Sequence, residues 1–163
     1  MRAGVVLLVY AGLLLLGGMI AFGMAPPGAN AMTALIVPGV CAVLIDVCGV
    51  LVIVGAARRR RALVMIGAHA GLVLSLLFSV AFAMQGWTRL GQARERAEAV
   101  ERYEAGELSG AAATDAGLSA FLEAQDLPAH DTMYLAVILL SLAAISVLAF
   151  VALVLSRPKP GAA

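Results

Sequence analysis

The chain has 163 residues, 63% hydrophobic and 13% charged, with a formal net charge of +1 and a mean hydropathy of +1.00. Soluble domains sit near about 45–50% apolar and about 25% charged, and a fold this small has no interior large enough to hide the surplus. Composition therefore excludes a disordered chain, a collagen, a disulfide scaffold and a nucleic-acid binder, and points to an integral membrane protein.

A bilayer core about 30 Å thick takes roughly 20 apolar residues per helix. Four stretches qualify: residues 3–24, 33–57, 62–87 and 133–155. They are continuous apolar runs rather than short alternating strands, so helices are expected and a barrel is not. In the first stretch, Arg2, the apolar run and Ala29-Asn30-Ala31 imitate a cleaved secretory signal. The run is longer than the usual signal core, so a retained helix is the expectation. The second stretch carries Asp46, and Pro38 in its first turns. The third has no Lys, Arg or carboxylate but holds His69; the fourth is uncharged. Tyr10, Trp87 and Tyr134 are expected at the membrane interface or facing lipid.

Residues 88–132 have a soluble composition. Helix formers run from Arg89 to Leu108, with Arg94–Glu98 and Glu98–Arg102 at i,i+4 spacing. This predicts a helix that extends the third span outward, with a thin stripe of Leu90, Ala97, Val100 and Leu108. Gly106 and Ser109-Gly110 are expected to end it. A second short helix is expected from about Thr114-Asp115, with Leu118, Phe121 and Leu122 on its apolar face and Pro128 as its stop.

Charge sets the expected orientation. Arg2, the four arginines at 58–61, Arg157 and Lys159 lie on one side of the four spans with no acid. The other side carries four arginines and nine of the ten acids. The positive-inside rule places both termini in the cytoplasm and residues 88–132 outside, as in a bacterial inner membrane. The acidic outer loop argues against nucleic acid and anionic lipid as its partners.

Apolar helices in lipid associate through small residues that let backbones approach. Gly67, Gly71, Ser75, Ser79 and Ala83 recur every four residues on the third helix and are expected to form a packing seam. Gly39, Ala42, Asp46 and Gly49 are expected near one face of the second.

Asp46 lies about 18 Å from Arg58 along its helix. An ionised carboxylate there costs on the order of 2.5–3.5 kcal/mol by insertion scales, so a partner, a water-filled cavity or protonation must offset it. Asp46 is expected to face other helices, near Ser146 and Ser75. It would serve there either as a proton or substrate site or as an interhelical hydrogen bond, and composition leaves both open. His69, about 12 Å from the same end of its helix, points away from the Gly67–Ala83 stripe. It is expected to bond a neighbour as a neutral imidazole, with tetrapyrrole ligation as the alternative. Cys41 and Cys48 are two turns apart and cannot pair with each other. Neither a metal site nor a resident cofactor is expected, and no phosphate loop, nucleophile elbow or zincin motif points to an enzyme.

The stretch Tyr10-Ala-Gly-Leu-Leu-Leu-Leu-Gly-Gly18, the short turn after it, the glycine-bearing second helix, the basic turn and the small-residue third helix resemble the transmembrane protein 14 family. That resemblance implies four short helices and, from some members, traffic of fatty acids or porphyrins. Residues 88–132 have no counterpart in it. Thr33-Ala-Leu-Ile-Val-Pro38, the basic turn and His69-Ala70 also resemble small bacterial membrane proteins of no assigned activity. The expectation is an all-α integral membrane four-helix bundle, one membrane domain over residues 1–163, with a helical extramembrane loop between the third and fourth spans. Its expected function is a non-catalytic accessory or structural subunit of a larger membrane complex. Its partners would be lipids and other membrane subunits or copies of itself. The alternative is a small carrier or binder of an apolar molecule of the fatty-acid or tetrapyrrole class.

Overall fold

The computed structural model describes residues 2–26, 31–105 and 115–156. Five α-helices make up the secondary structure of these residues: α1 (Arg2–Gly23), α2 (Ala31–Ala57), α3 (Arg61–Glu104), α4 (Asp115–Ala124) and α5 (Met133–Leu155). Among them α1, α2, α3 and α5 are long and apolar enough to cross a membrane.

These four pack in a ring. α1 lies against α2 and α5, and α3 lies against α2 and α5. The centre is filled by Leu7, Tyr10, Leu14, Ile45, Val52 and Leu142, all nearly or fully buried. The outside stays apolar, with exposed residues such as Val9, Val43, Leu77 and Leu148. Helices that are apolar all round belong in hydrocarbon rather than in water.

α3 runs unbroken for 44 residues, about 66 Å at 1.5 Å per residue. That is about twice the length a bilayer core needs, and its charged residues, from Arg89 onward, all lie in its second half apart from Arg61 at its start. The expected stripe on this extension is corrected by the fold. Ala93 and Ala99 are the buried residues, Leu90 and Val100 are half-buried, and Ala97 is exposed. Leu108, Gly106, the Ser109-Gly110 pair and Thr114 lie outside the described residues.

α4 folds back onto α3. Leu122 is buried, and the Phe121 and Tyr103 rings lie 5.6 Å apart. Arg96 on α3 donates to the carbonyls of Pro128 and Ala129, which ties the following turn to the same helix. The stop of α4 is not Pro128 itself. Leu127 N–H donates to the Leu122 carbonyl and Asp126 N–H to that of Glu123, with Asp126 at φ 57°. This is a Schellman ending, in which proline commonly follows within two residues. The α2–α3 turn uses the same device: Arg60 N–H reaches the Gly55 carbonyl, Arg59 N–H reaches that of Ala56, and Arg59 takes φ 53°.

Close approach explains the glycines inside the ring. A Cβ at Gly67 would stand 2.7 Å from the Cys48 carbonyl oxygen, and one at Gly55 would stand 2.8 Å from the Val64 nitrogen. α2 and α3 thus meet backbone to backbone. On the other side of α2, Gly18 of α1 faces Pro38 at 3.1 Å, near the Ala34 carbonyl that the proline ring leaves without its helical donor.

Candidate functional site

The polar groups of the four long helices fall into an inner and an outer set. In the inner set, the Tyr10 hydroxyl of α1 donates to Ser146 Oγ of α5 at 2.6 Å, and Ser146 Oγ donates to the Leu142 carbonyl at 2.7 Å. Ser75 is fully buried on α3 and donates back to the Gly71 and Leu72 carbonyls. No buried side-chain nitrogen or oxygen among the described residues lacks a partner. Within this core the hydroxyls of Tyr10, Ser75 and Ser146 are all hydrogen-bonded.

Tyr10 corrects an expectation, since it is 2% exposed and not interfacial. The depths of the two residues explain why. Tyr10 is about 12 Å from the start of α1 at Arg2, and Ser146 is about 14 Å from the end of α5 at Leu155. These two ends lie on the same side of the ring. The phenol and the hydroxyl therefore meet at one level inside the core, where Ser146 Oγ accepts from Tyr10 while donating to the Leu142 carbonyl. Trp87, at 72% exposure, does sit on the surface.

Of the small-residue seam, Gly67, Gly71, Ser75 and Ser79 are buried and Ala83 is half-buried. The stripe turns through its neighbours as it rises. Gly67 meets α2 at Cys48, and Gly71 meets Leu7 of α1. Gly86, one turn beyond Ala83, meets Leu140 of α5.

The outer set includes the carboxyl of Asp46 and the imidazole of His69, beside exposed hydroxyls such as Ser141. Asp46 does not face Ser146 or Ser75; it is exposed on the outer surface of α2. The cause is helical phase. Ala42, Ile45, Gly49 and Val52 pack inward, and Cys48 abuts α3 at Gly67. Asp46 is two residues from Cys48, a rotation of about 200°. It therefore points away from α3, and it makes no hydrogen bond or ion pair within the described residues. Gly39, grouped with it by sequence, has open space where a Cβ would stand.

His69 is exposed on α3 and stands about 200° from Gly67, the residue that faces α2. Its Nδ1 lies 2.8 Å from the Met65 carbonyl. A carbonyl only accepts, so Nδ1 carries the hydrogen and Nε2 presents a lone pair outward. The ring is thus anchored within its own helix rather than to a neighbouring one. As a tetrapyrrole ligand it would have to act from this open outer face, and the other histidine, His130, lies exposed in the turn before α5. The structure therefore does not bring Asp46 and His69 together within one chain. It sets them on opposite sides of the α2–α3 pair.

Among the described residues no group of three or more His, Cys, Asp or Glu comes close enough to hold a metal ion. One open groove, lined by Glu95, Glu98, Arg102 and Phe121, runs between α3 and α4. A second lies at the α2–α3 turn beside Gly55, Arg59 and Arg61. Both are at the ends of the helix ring, and neither opens into its centre. No family model, curated protein or solved structure matches the chain.

Proposed function

We propose that this chain is a non-catalytic integral membrane protein, inserted with both termini in the cytoplasm of a bacterial inner membrane, and that it works as a subunit of a larger membrane assembly. One observation carries the reading. Asp46, the only carboxylate in the apolar stretches 3–24, 33–57, 62–87 and 133–155, lies on the outer surface with no partner among the described residues, while the fully or nearly fully buried hydroxyls of Tyr10, Ser75 and Ser146 are hydrogen-bonded inside. A carboxyl group left against hydrocarbon costs several kcal/mol at mid-bilayer, about 2.5–3.5 on insertion scales. Contact with another membrane helix removes that cost. The folded α4 and the charged extension of α3 offer a second contact surface outside the bilayer.

A carrier of an apolar molecule, the reading implied by the transmembrane protein 14 resemblance, needs a chamber for its cargo. The filled centre of the ring supports the subunit reading over it. Extraction in mild detergent followed by native mass spectrometry tests the choice. A species heavier than the 16.7 kDa chain, with protein components of fixed stoichiometry, is the expected result. A single copy carrying only lipid or pigment would overturn it.

A further inference from the structure

We infer that the partner at Asp46 is a second copy of this chain, docked head to tail so that Asp46 of one copy meets His69 of the next. The inference deepens the assembly reading above and rests on it.

Complementarity is the first argument. The apolar stretches 3–24, 33–57, 62–87 and 133–155 hold one carboxyl, Asp46, and one imidazole, His69, and both are exposed. His69 Nδ1 is committed to Met65, so Nε2 is an outward acceptor. A carboxyl O–H can donate to it, and a proton shared across that bond leaves neither group bare in hydrocarbon. The other exposed nitrogen-bearing side chains of residues 62–87, Gln85 and Trp87, stand about 24 Å or more further along α3 than His69, far from the depth of Asp46.

Level is the second argument. α2 and α3 are joined by the tight turn at Arg59, which gives both helices one reference plane. From that plane Asp46 is about 18 Å along α2 and His69 about 12 Å along α3, a difference of about one helical turn. Two copies inserted with the same orientation therefore bring these groups to within about one helical turn, roughly 6 Å, of the same depth, a gap that their side chains and a small tilt of one copy span.

Direction is the third. Asp46 points away from α3 and His69 points away from α2, so a copy offers different faces to its two neighbours. Such a contact is heterologous and propagates until a ring closes. Both faces suit close packing. Around Asp46 stand Val43, Val47 and Val50; around His69 stand Met65, Ile66 and Val73; all are exposed. Gly12 lies one turn along α1 from Leu8, the residue that meets Gly49, and open space surrounds it. It therefore leaves a low place on the α1–α2 edge beside Asp46, where another helix can approach.

The test uses the full chain in its own membrane. Asp46→Cys and His69→Cys are made in separate, distinguishably tagged copies and co-expressed, then oxidised before solubilisation. Both positions are exposed, and the native Cys41 and Cys48 are buried. A disulfide-linked dimer carrying both tags, absent when either variant is expressed alone, is the expected result. A dimer from Asp46→Cys alone would mean a symmetric contact and would overturn the pairing. So would a mixed membrane that gives no dimer. Asp46→Leu provides a second readout: it should dissolve the wild-type oligomer in native mass spectrometry, and an unchanged oligomer overturns the pairing. A wild-type protein found as a single copy overturns the assembly reading as well. A stable complex with other proteins and no Asp46–His69 link overturns only the pairing.

Discussion

Tyr10 and Ser146 share one hydrogen bond, yet losing either partner has a different consequence. In Tyr10→Phe the hydroxyl goes, and Ser146 keeps its bond to the Leu142 carbonyl. The loss should be that of one interhelical bond, about 0.6 kcal/mol and at most about 1.7. In Ser146→Ala the phenol remains, buried and without its acceptor, and an orphaned buried donor costs about 1–3 kcal/mol. Ser146→Ala should therefore lower the unfolding midpoint in detergent more than Tyr10→Phe does. Equal midpoints would mean that the Tyr10 hydroxyl finds another acceptor. At this scale the sequence misleads in a specific way. An aromatic with a polar tip reads as interfacial, and a mid-helix carboxylate reads as inward-facing. Depth-matching of Tyr10 with Ser146 was available from residue counting. The outward phase of Asp46 was hidden because α2 is apolar on every side, so no amphipathic stripe marks its inner face. Only Ala42, Gly49 and Gly55 mark it, through their size.

Glycines separate the helix faces that are occupied from those that are free. Gly67→Ala drives a Cβ to within 2.7 Å of the Cys48 carbonyl oxygen, an atom of the α2 backbone that cannot rotate aside. α2 and α3 must part, at a cost of about 1–3 kcal/mol. Gly12→Ala meets nothing within 4 Å, so the single chain should gain up to about 1 kcal/mol from helix propensity. Thermal unfolding of the two variants in detergent should shift in opposite directions. A matching loss at Gly12 would show that its face is covered even in the isolated chain. The four long helices themselves were legible from hydropathy, with α2 and α5 starting within two residues of expectation and ending on it. The unbroken run of α3 was legible too, because its Ala, Glu and Arg favour helix. The end of α4 was not, because a non-glycine residue in the left-handed region, Asp126, makes the stop two residues before the proline.

Across the whole molecule, the same substitution should act with opposite signs on the single chain and on the assembly. Asp46→Leu removes an exposed carboxyl from the apolar surface, which should ease insertion of the isolated chain by about 2.5–3.5 kcal/mol. Under the proposed pairing it also leaves His69 of the neighbour without its donor, so the oligomer should weaken. Glycosylation-site reporters of insertion and native mass spectrometry of the purified protein read the two effects separately. A variant that inserts better and assembles equally well would show that Asp46 contributes nothing to association.

Orientation rests on a narrower margin than the net charge suggests. Seven Lys and Arg lie on the side of the termini and four lie in residues 88–132. Acidic residues contribute little to the rule, so the nine acids of the outer loop do not reinforce the bias. Four of the seven positive charges are the arginines at 58–61, within the short turn where such charges count most. Replacing all four by Gln leaves three positive charges against four and removes the preference. The wild-type chain with Glu101→Cys, an exposed position on the outer part of α3, should react with a membrane-impermeant thiol reagent applied to intact cells. The buried Cys41 and Cys48 should not. With the four glutamines added, labelling of Cys at 101 should fall to a mixed population in which part of the chain is protected. Full labelling in that background would mean that the long outer segment, not the arginine turn, fixes the topology. Protection in the wild-type background would invert the orientation proposed here.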